Sequence, residues 1–112
     1  MATTKVFTLE GSSVSNGSTE TLTESDDQSW NIEKVQVTEE SGGNLGGGTA
    51  TISIAGDSTT DQVVAVETLR DSYGDLPTLD LDWPSNTQFE FDFSNNTGGS
   101  VTINVSLWVE PA

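Results

Sequence analysis

A strict period-two alternation near the C-terminus constrains the fold of this chain more than any other feature. Val101, Ile103, Val105, Leu107 and Val109 take every second position, while Thr102, Asn104, Ser106, Trp108 and Glu110 take the rest. Successive side chains of an extended strand point to opposite faces, so the pattern describes a strand with one face in a core and one in water. Phe89, Phe91 and Phe93 repeat it against Gln88, Glu90 and Asp92. The linking stretch Ser94-Asn95-Asn96-Thr97-Gly98-Gly99 is rich in residues that accept positive φ, which predicts a hairpin between these two strands.

Shorter runs carry the same period. Leu79, Leu81 and Trp83 alternate with Asp80 and Asp82 before Pro84, and Ala50, Ile52 and Ile54 alternate with Thr49, Thr51 and Ser53. Val6 to Leu9 reads as a short strand and Ser18 to Glu24 as a threonine-rich one. Between Trp30 and Thr38 the parity switches, from Trp30 and Ile32 to Val35 and Val37. A β-bulge near Glu33 and Lys34 keeps both pairs on the core face. Val63 to Leu69 fits a strand by its valines and a helical turn by the spacing of Val63, Val66 and Arg70. Seven or eight short strands joined by polar loops predict one all-β domain over residues 1–112, a two-sheet antiparallel β-sandwich of jelly-roll or immunoglobulin-like topology. The loop Ser41-Gly42-Gly43-Asn44-Leu45-Gly46-Gly47-Gly48 is expected to be a mobile hairpin connection rather than a phosphate cradle, because it lacks the Lys-Ser/Thr ending and opens no helix.

Composition narrows the chemistry. Eighteen Asp and Glu stand against three basic residues, Lys5, Lys34 and Arg70, for a net charge of −15. Such a surface repels itself in dilute salt, whereas a Debye length of roughly 3 Å in molar salt silences it, so the chain reads as adapted to brine. Nucleic acid is an unsuitable partner for so few cations. There is no histidine and no cysteine, which removes Ser-His-Asp triads, thiol nucleophiles, disulfides and histidine-ligated metal centres. No apolar run approaches the roughly 20 residues of a spanning helix, so no membrane partner is expected. The start Met1-Ala2-Thr3-Thr4-Lys5 has no basic region followed by an apolar stretch, and the expectation is a polypeptide made in the cytoplasm without an export signal.

The remaining candidates are carboxylates and tryptophans. The pairs Asp26-Asp27, Glu39-Glu40, Asp80 with Asp82 and Glu90 with Asp92 read as solvated surface, since alternation turns the last two outward. An acidic hydrolase would need one such pair in a cleft. Asp57, Asp61, Asp71 and Asp75 lie in loops and are the candidate ligands for calcium or magnesium, without EF-hand spacing. Trp30 and Trp83 share parity with apolar neighbours and belong to the core. Trp108 sits on the polar face, where it either lies under a loop or anchors another subunit or a sugar ring. Sequons at Asn16, Asn95 and Asn104 are expected to stay unmodified.

With its start at Met1-Ala2-Thr3-Thr4, its serial short strands and its final hairpin from Phe89–Phe93 to Val101–Val105, the chain resembles the small β-sandwich turret, decoration or spike proteins of tailed viruses of halophilic archaea. The resemblance implies a non-enzymatic virion structural protein, a symmetric homo-oligomer (a trimer or pentamer) held on the virion surface by other capsid proteins. The alternative is a carbohydrate- or surface-binding module, with Trp108 as stacking platform and loop acids holding calcium.

Overall fold

The alternating runs become strands, and their inward rows become the core. The structure, a computed structural model, describes residues 5–55, 57–58, 64–70 and 73–112. Nine strands follow in order: β1 (Lys5–Val14), β2 (Thr19–Ser25), β3 (Trp30–Glu39), β4 (Thr49–Ile54), β5 (Asp57–Ser58), β6 (Val64–Ala65), β7 (Leu81–Trp83), β8 (Gln88–Ser94) and β9 (Val101–Pro111). The front sheet has the order β1-β9-β3-β7; the back sheet runs β2-β8-β4, with β5 and β6 both pairing on β4. All pairings are antiparallel, as a two-sheet sandwich requires.

The register selects the topology that the sequence left open. Lys5 pairs with Val109, Thr19 with Ser94, Trp30 with Trp83 and Ala50 with Val64. The two residue numbers of each pair add to nearly the same total, so the chain is one long antiparallel ribbon, doubled back near β5 and rolled up. A second ladder, β3 on β9 and β4 on β8, closes the roll. This nesting is a jelly roll. An immunoglobulin-like sandwich instead pairs consecutive strands within a sheet.

Two expectations are corrected by it. β8 and β9 form no hairpin: β8 lies between β2 and β4 in the back sheet, and β9 between β1 and β3 in the front sheet. The loop 95–100 crosses between sheets, and turn-rich composition does not distinguish a crossing from a hairpin. The glycine loop 41–48 also crosses between sheets and is no hairpin connection. It is pinned by the fully buried Leu45, by a Gly48 N–H to Leu45 carbonyl bond of 3.0 Å, and by Glu39.

Local details follow the parity of the sequence. The register shifts between Ile32 and Lys34, so the bulge expected there keeps Trp30, Ile32, Val35 and Val37 all buried. A second shift, between Glu10 and Ser13, extends β1 beyond Leu9 and returns Val14 to the core. β7 begins only at Leu81, because Asp80 adopts φ 53°. Val64–Ala65 is a two-residue strand, and Val66–Leu69 turns into a 3-10 helix that inserts Val66 and Leu69 into the core; Val63 lies outside the described residues.

The interior is filled by side chains. Phe89, Phe91 and Phe93 of the back sheet are fully buried against Ile103, Val105, Leu107 and Val109 of the front one. Trp30 and Trp83 are core residues, as their parity requires, and Phe7 meets both edge-on at centroid distances of 5.7 and 5.2 Å. At the far end the buried Asn95 ties the loops. Its Nδ2 donates to the Val14 and Gly99 carbonyls, both at 2.8 Å, and its Oδ1 accepts from the Thr97 N–H and hydroxyl. That burial removes the Asn95 sequon from reach in the folded protein.

The β1 bulge also fixes a glycine. A Cβ on Gly11 would lie 2.4 Å from the Ile103 carbonyl oxygen and 2.6 Å from Glu20 Oε1. Backbone oxygen cannot yield as a flexible side chain can. Gly11→Ala is therefore expected to cost about 2–3 kcal/mol, read as a lower urea midpoint. Gly99→Ala, at a position with open space around it, is the control and stays within about 0.5 kcal/mol.

Candidate functional site

The outward face of the front sheet is built from three long strands in simple register. Trp108 on β9 stands between Val6 on β1 and Lys34 on β3; Ser106 stands between Thr8 and Gln36; Asn104 stands between Glu10 and Thr38. Trp108 is half-buried, and its indole N–H is 3.4 Å from Gln36 Oε1 on the neighbouring strand. Val6, at 40% exposure, extends the apolar surface of the indole to the sheet edge.

This field is distinctive for its charge. In a chain of net charge −15, these three rows carry Glu10 at one corner and, at the opposite one, Lys34 with Glu33 beside it in the bulge, while the middle row carries no charge. The back sheet presents the opposite picture: Glu90 and Asp92 run down its central strand among threonine and serine hydroxyls, with Thr21 donating to Asp92 at 2.6 Å. The middle row of the front face is thus uncharged, where the back face carries two carboxylates on its central strand.

Acids return where β9 ends. Glu110 lies beyond Trp108, and a hydrogen bond to Glu33, reinforced by repulsion between the two carboxylates, holds its pKa above the ordinary range. Nearby, Asp26 accepts from the Trp30 indole at 2.8 Å and from the Gln28 N–H at 3.1 Å, and these bonds, with the Lys5 charge, hold its carboxyl below the ordinary value. Lys5 itself lies over the rings of Phe7 and Trp30, at 4.4 and 5.4 Å from their centroids.

One acid departs from the surface reading altogether. Glu39 is buried, at 8% exposure. Its Oε1 accepts from the Ser41 N–H, the Ser41 hydroxyl and the Gly43 N–H, and its Oε2 accepts from the Thr102 N–H at 2.9 Å. These donors stabilise the anion and hold its pKa at about 2. A carboxylate so fully engaged holds two loops together and has no lone pair aimed at a substrate.

A recess of about 220 Å³ opens at the same end as Glu110, lined by Ser29, Trp30, Asp82, Trp83, Pro84 and Ala112. It is smaller than the roughly 300 Å³ at which ligand pockets begin. Its tryptophans are 6% and 1% exposed, so they offer no ring face for a sugar to stack upon. Of the candidate cation ligands, Asp61 and Asp71 lie outside the described residues. Asp57 is in β5, and Asp75 is exposed in a 3-10 turn at Tyr73–Asp75. Among the described residues no three acidic side chains gather closely enough to hold a metal ion. Asp80 and Asp82 are exposed as alternation requires, with Asp80 accepting from Asn31 at 2.8 Å. No protein-family model, characterised protein or solved structure matches the chain.

Proposed function

We propose that this chain is a non-enzymatic structural subunit of the virion of a halophile's virus, a turret or decoration protein that assembles into a symmetric homo-oligomer on the capsid surface in high salt. One observation carries the reading: Trp108 stands half-buried on the outward face of the front sheet, next to the uncharged row of Thr8, Ser106 and Gln36, in a chain of net charge −15. The jelly-roll topology supports it, because that architecture serves capsid and lectin domains alike and here its interior is filled by side chains. Glu39 and Asp26 are engaged in holding loops. The competing carbohydrate-binding reading rests on the same indole, and the recess adds no second ring to it.

Sedimentation equilibrium in about 2 M salt, where the Debye length is below roughly 3 Å, is expected to return a multiple of the 11.8 kDa chain mass. The protein is further expected to co-purify with virus particles. A strict monomer that never associates with particles overturns the proposal.

A further inference from the structure

We infer that the outer edge of β2 is a two-fold contact, at which β2 of a second copy adds antiparallel and makes one continuous back sheet. The inference rests on the assembly reading above and gives it a further surface, at the sheet edge rather than around Trp108. The direction of the ladder bonds defines what this edge offers. The Asn95 N–H donates to the Ser18 carbonyl, and the Ala55 N–H to the Gln88 carbonyl. Directions alternate along a strand, so Glu20, Leu22 and Glu24 turn their main-chain groups toward Phe93, Phe91 and Phe89 of β8. The N–H and C=O groups of Thr19, Thr21, Thr23 and Ser25 therefore point off the sheet. All four residues are exposed.

Such a row is a template for another strand, and proteins usually blunt it. The other edges of this sandwich are blunted. β7 has three residues and stops at Pro84, β5 and β6 have two each, and β1 opens on Lys5 and bulges between Glu10 and Ser13. β2 instead runs seven residues in unbroken register, without Lys, Pro or Gly. Its two acids fold back onto their own chain. Glu20 Oε2 accepts from the Ser12 N–H and hydroxyl at 3.0 and 2.7 Å, and Glu24 Oε1 accepts from the Ser25 N–H at 3.2 Å.

The order of residues in β2 selects a second copy as the partner. Thr19-Glu20-Thr21-Leu22-Thr23-Glu24-Ser25 reads the same in both directions, with serine for threonine at one end. Antiparallel pairing about Leu22 therefore uses the whole strand and sets like on like. Thr21 faces Thr23 of the second copy, Thr19 faces Ser25, and Leu22 meets Leu22 on the core side. Threonine pairs of this kind are favourable across strands. Centring the contact on Thr21 or Thr23 instead sets Leu22 against a glutamate and shortens the ladder. The cost of the chosen register is Glu20 opposite Glu24, a repulsion that molar salt screens. A two-fold contact gives dimers and even-numbered assemblies. A trimer or pentamer would need a different, head-to-tail surface.

The chain has no cysteine, so introduced thiols report the register. Hydrogen-bonded partners across antiparallel strands lie about 5.5 Å apart, within the span of a disulfide. Thr21→Cys and Thr23→Cys chains are mixed and oxidised by air in about 2 M salt. The mixed dimer is expected to form at least about five times faster than either variant links to itself. Gln88→Cys, exposed on the central strand of the same face, is the control and links slowest. Thr23→Pro removes one edge donor from each copy and no ladder bond to β8. It is expected to weaken self-association about 30-fold. Circular dichroism confirms that each variant is folded, and the thiol measurement decides alone if the proline variant is not. If the protein is oligomeric but the mixed pair links no faster than Gln88→Cys, or folded Thr23→Pro associates like the wild type, this contact is wrong while assembly stands. If the protein is monomeric throughout, both fall.

Discussion

Replacing Glu39 with alanine lowers the stability of this protein by about 3 kcal/mol, a fall in Tm of about 10–20 °C for a domain of this size. The carboxylate is the one acceptor for donors from two segments: the Ser41 and Gly43 amides of the β3–β4 crossing, and the Thr102 amide at the start of β9. Without it those donors are left unpaired in a half-buried site. Glu39→Gln is the milder variant, costing about 1–2 kcal/mol, because an amide offers one oxygen and turns its NH₂ toward one set of donors. Urea denaturation in molar salt reads both.

The pH dependence separates this role from bulk charge. Glu39 has a folded-state pKa of about 2, against 4.5 for the ordinary group. Because the folded value is the lower one, the ionised side chain stabilises the fold fully above pH 4.5. That contribution is lost as the pH falls toward 2, when the folded protein also takes up the proton. The difference between wild type and Glu39→Ala is therefore expected to shrink as the pH drops through that window. A difference below about 1 kcal/mol, or one independent of pH, would show that the network contributes little. Glu110 acts in the opposite sense, since its raised folded-state pKa favours the fold at low pH. Both arms of the comparison contain it, so it cancels.

Glu39 also shows how much a sequence of this kind discloses. Val35, Val37 and Glu39 share one parity, so alternation already places the carboxylate inward. Its burial was legible, and reading it as half of a surface pair with Glu40 overlooked the period. The strands, the bulge at Glu33 and Lys34 and the core tryptophans were legible for the same reason: period two is a local property. Pairing partners are not local. The stretch 94–99 has the composition of a tight turn, yet it crosses the sandwich, because β8 pairs with β2 and β4 while β9 pairs with β1 and β3. The surface field had the same fate. Trp108 stood out on a polar face, but its neighbours Val6, Glu33 and Lys34 are named only once the register is known.

Diluting the salt is expected to unfold this protein, with a large effect. The net charge of −15 is confined to a body with a radius of gyration of 13.5 Å. The self-repulsion relieved by unfolding changes by an amount on the order of 10 kcal/mol between about 0.01 M and about 1 M salt. That is comparable to the entire stability of a small domain, roughly 5–15 kcal/mol. The Tm is thus expected to rise steeply with KCl and little with sucrose, which leaves charge unscreened. Screening alone does not identify its source, so the decisive arm removes charge. Asp27, Glu40 and Asp82 are exposed, and Asp27→Asn, Glu40→Gln and Asp82→Asn together should move the folding midpoint to lower salt. A Tm indifferent to KCl, or a midpoint unmoved by that triple variant, removes the ground for placing this chain in brine.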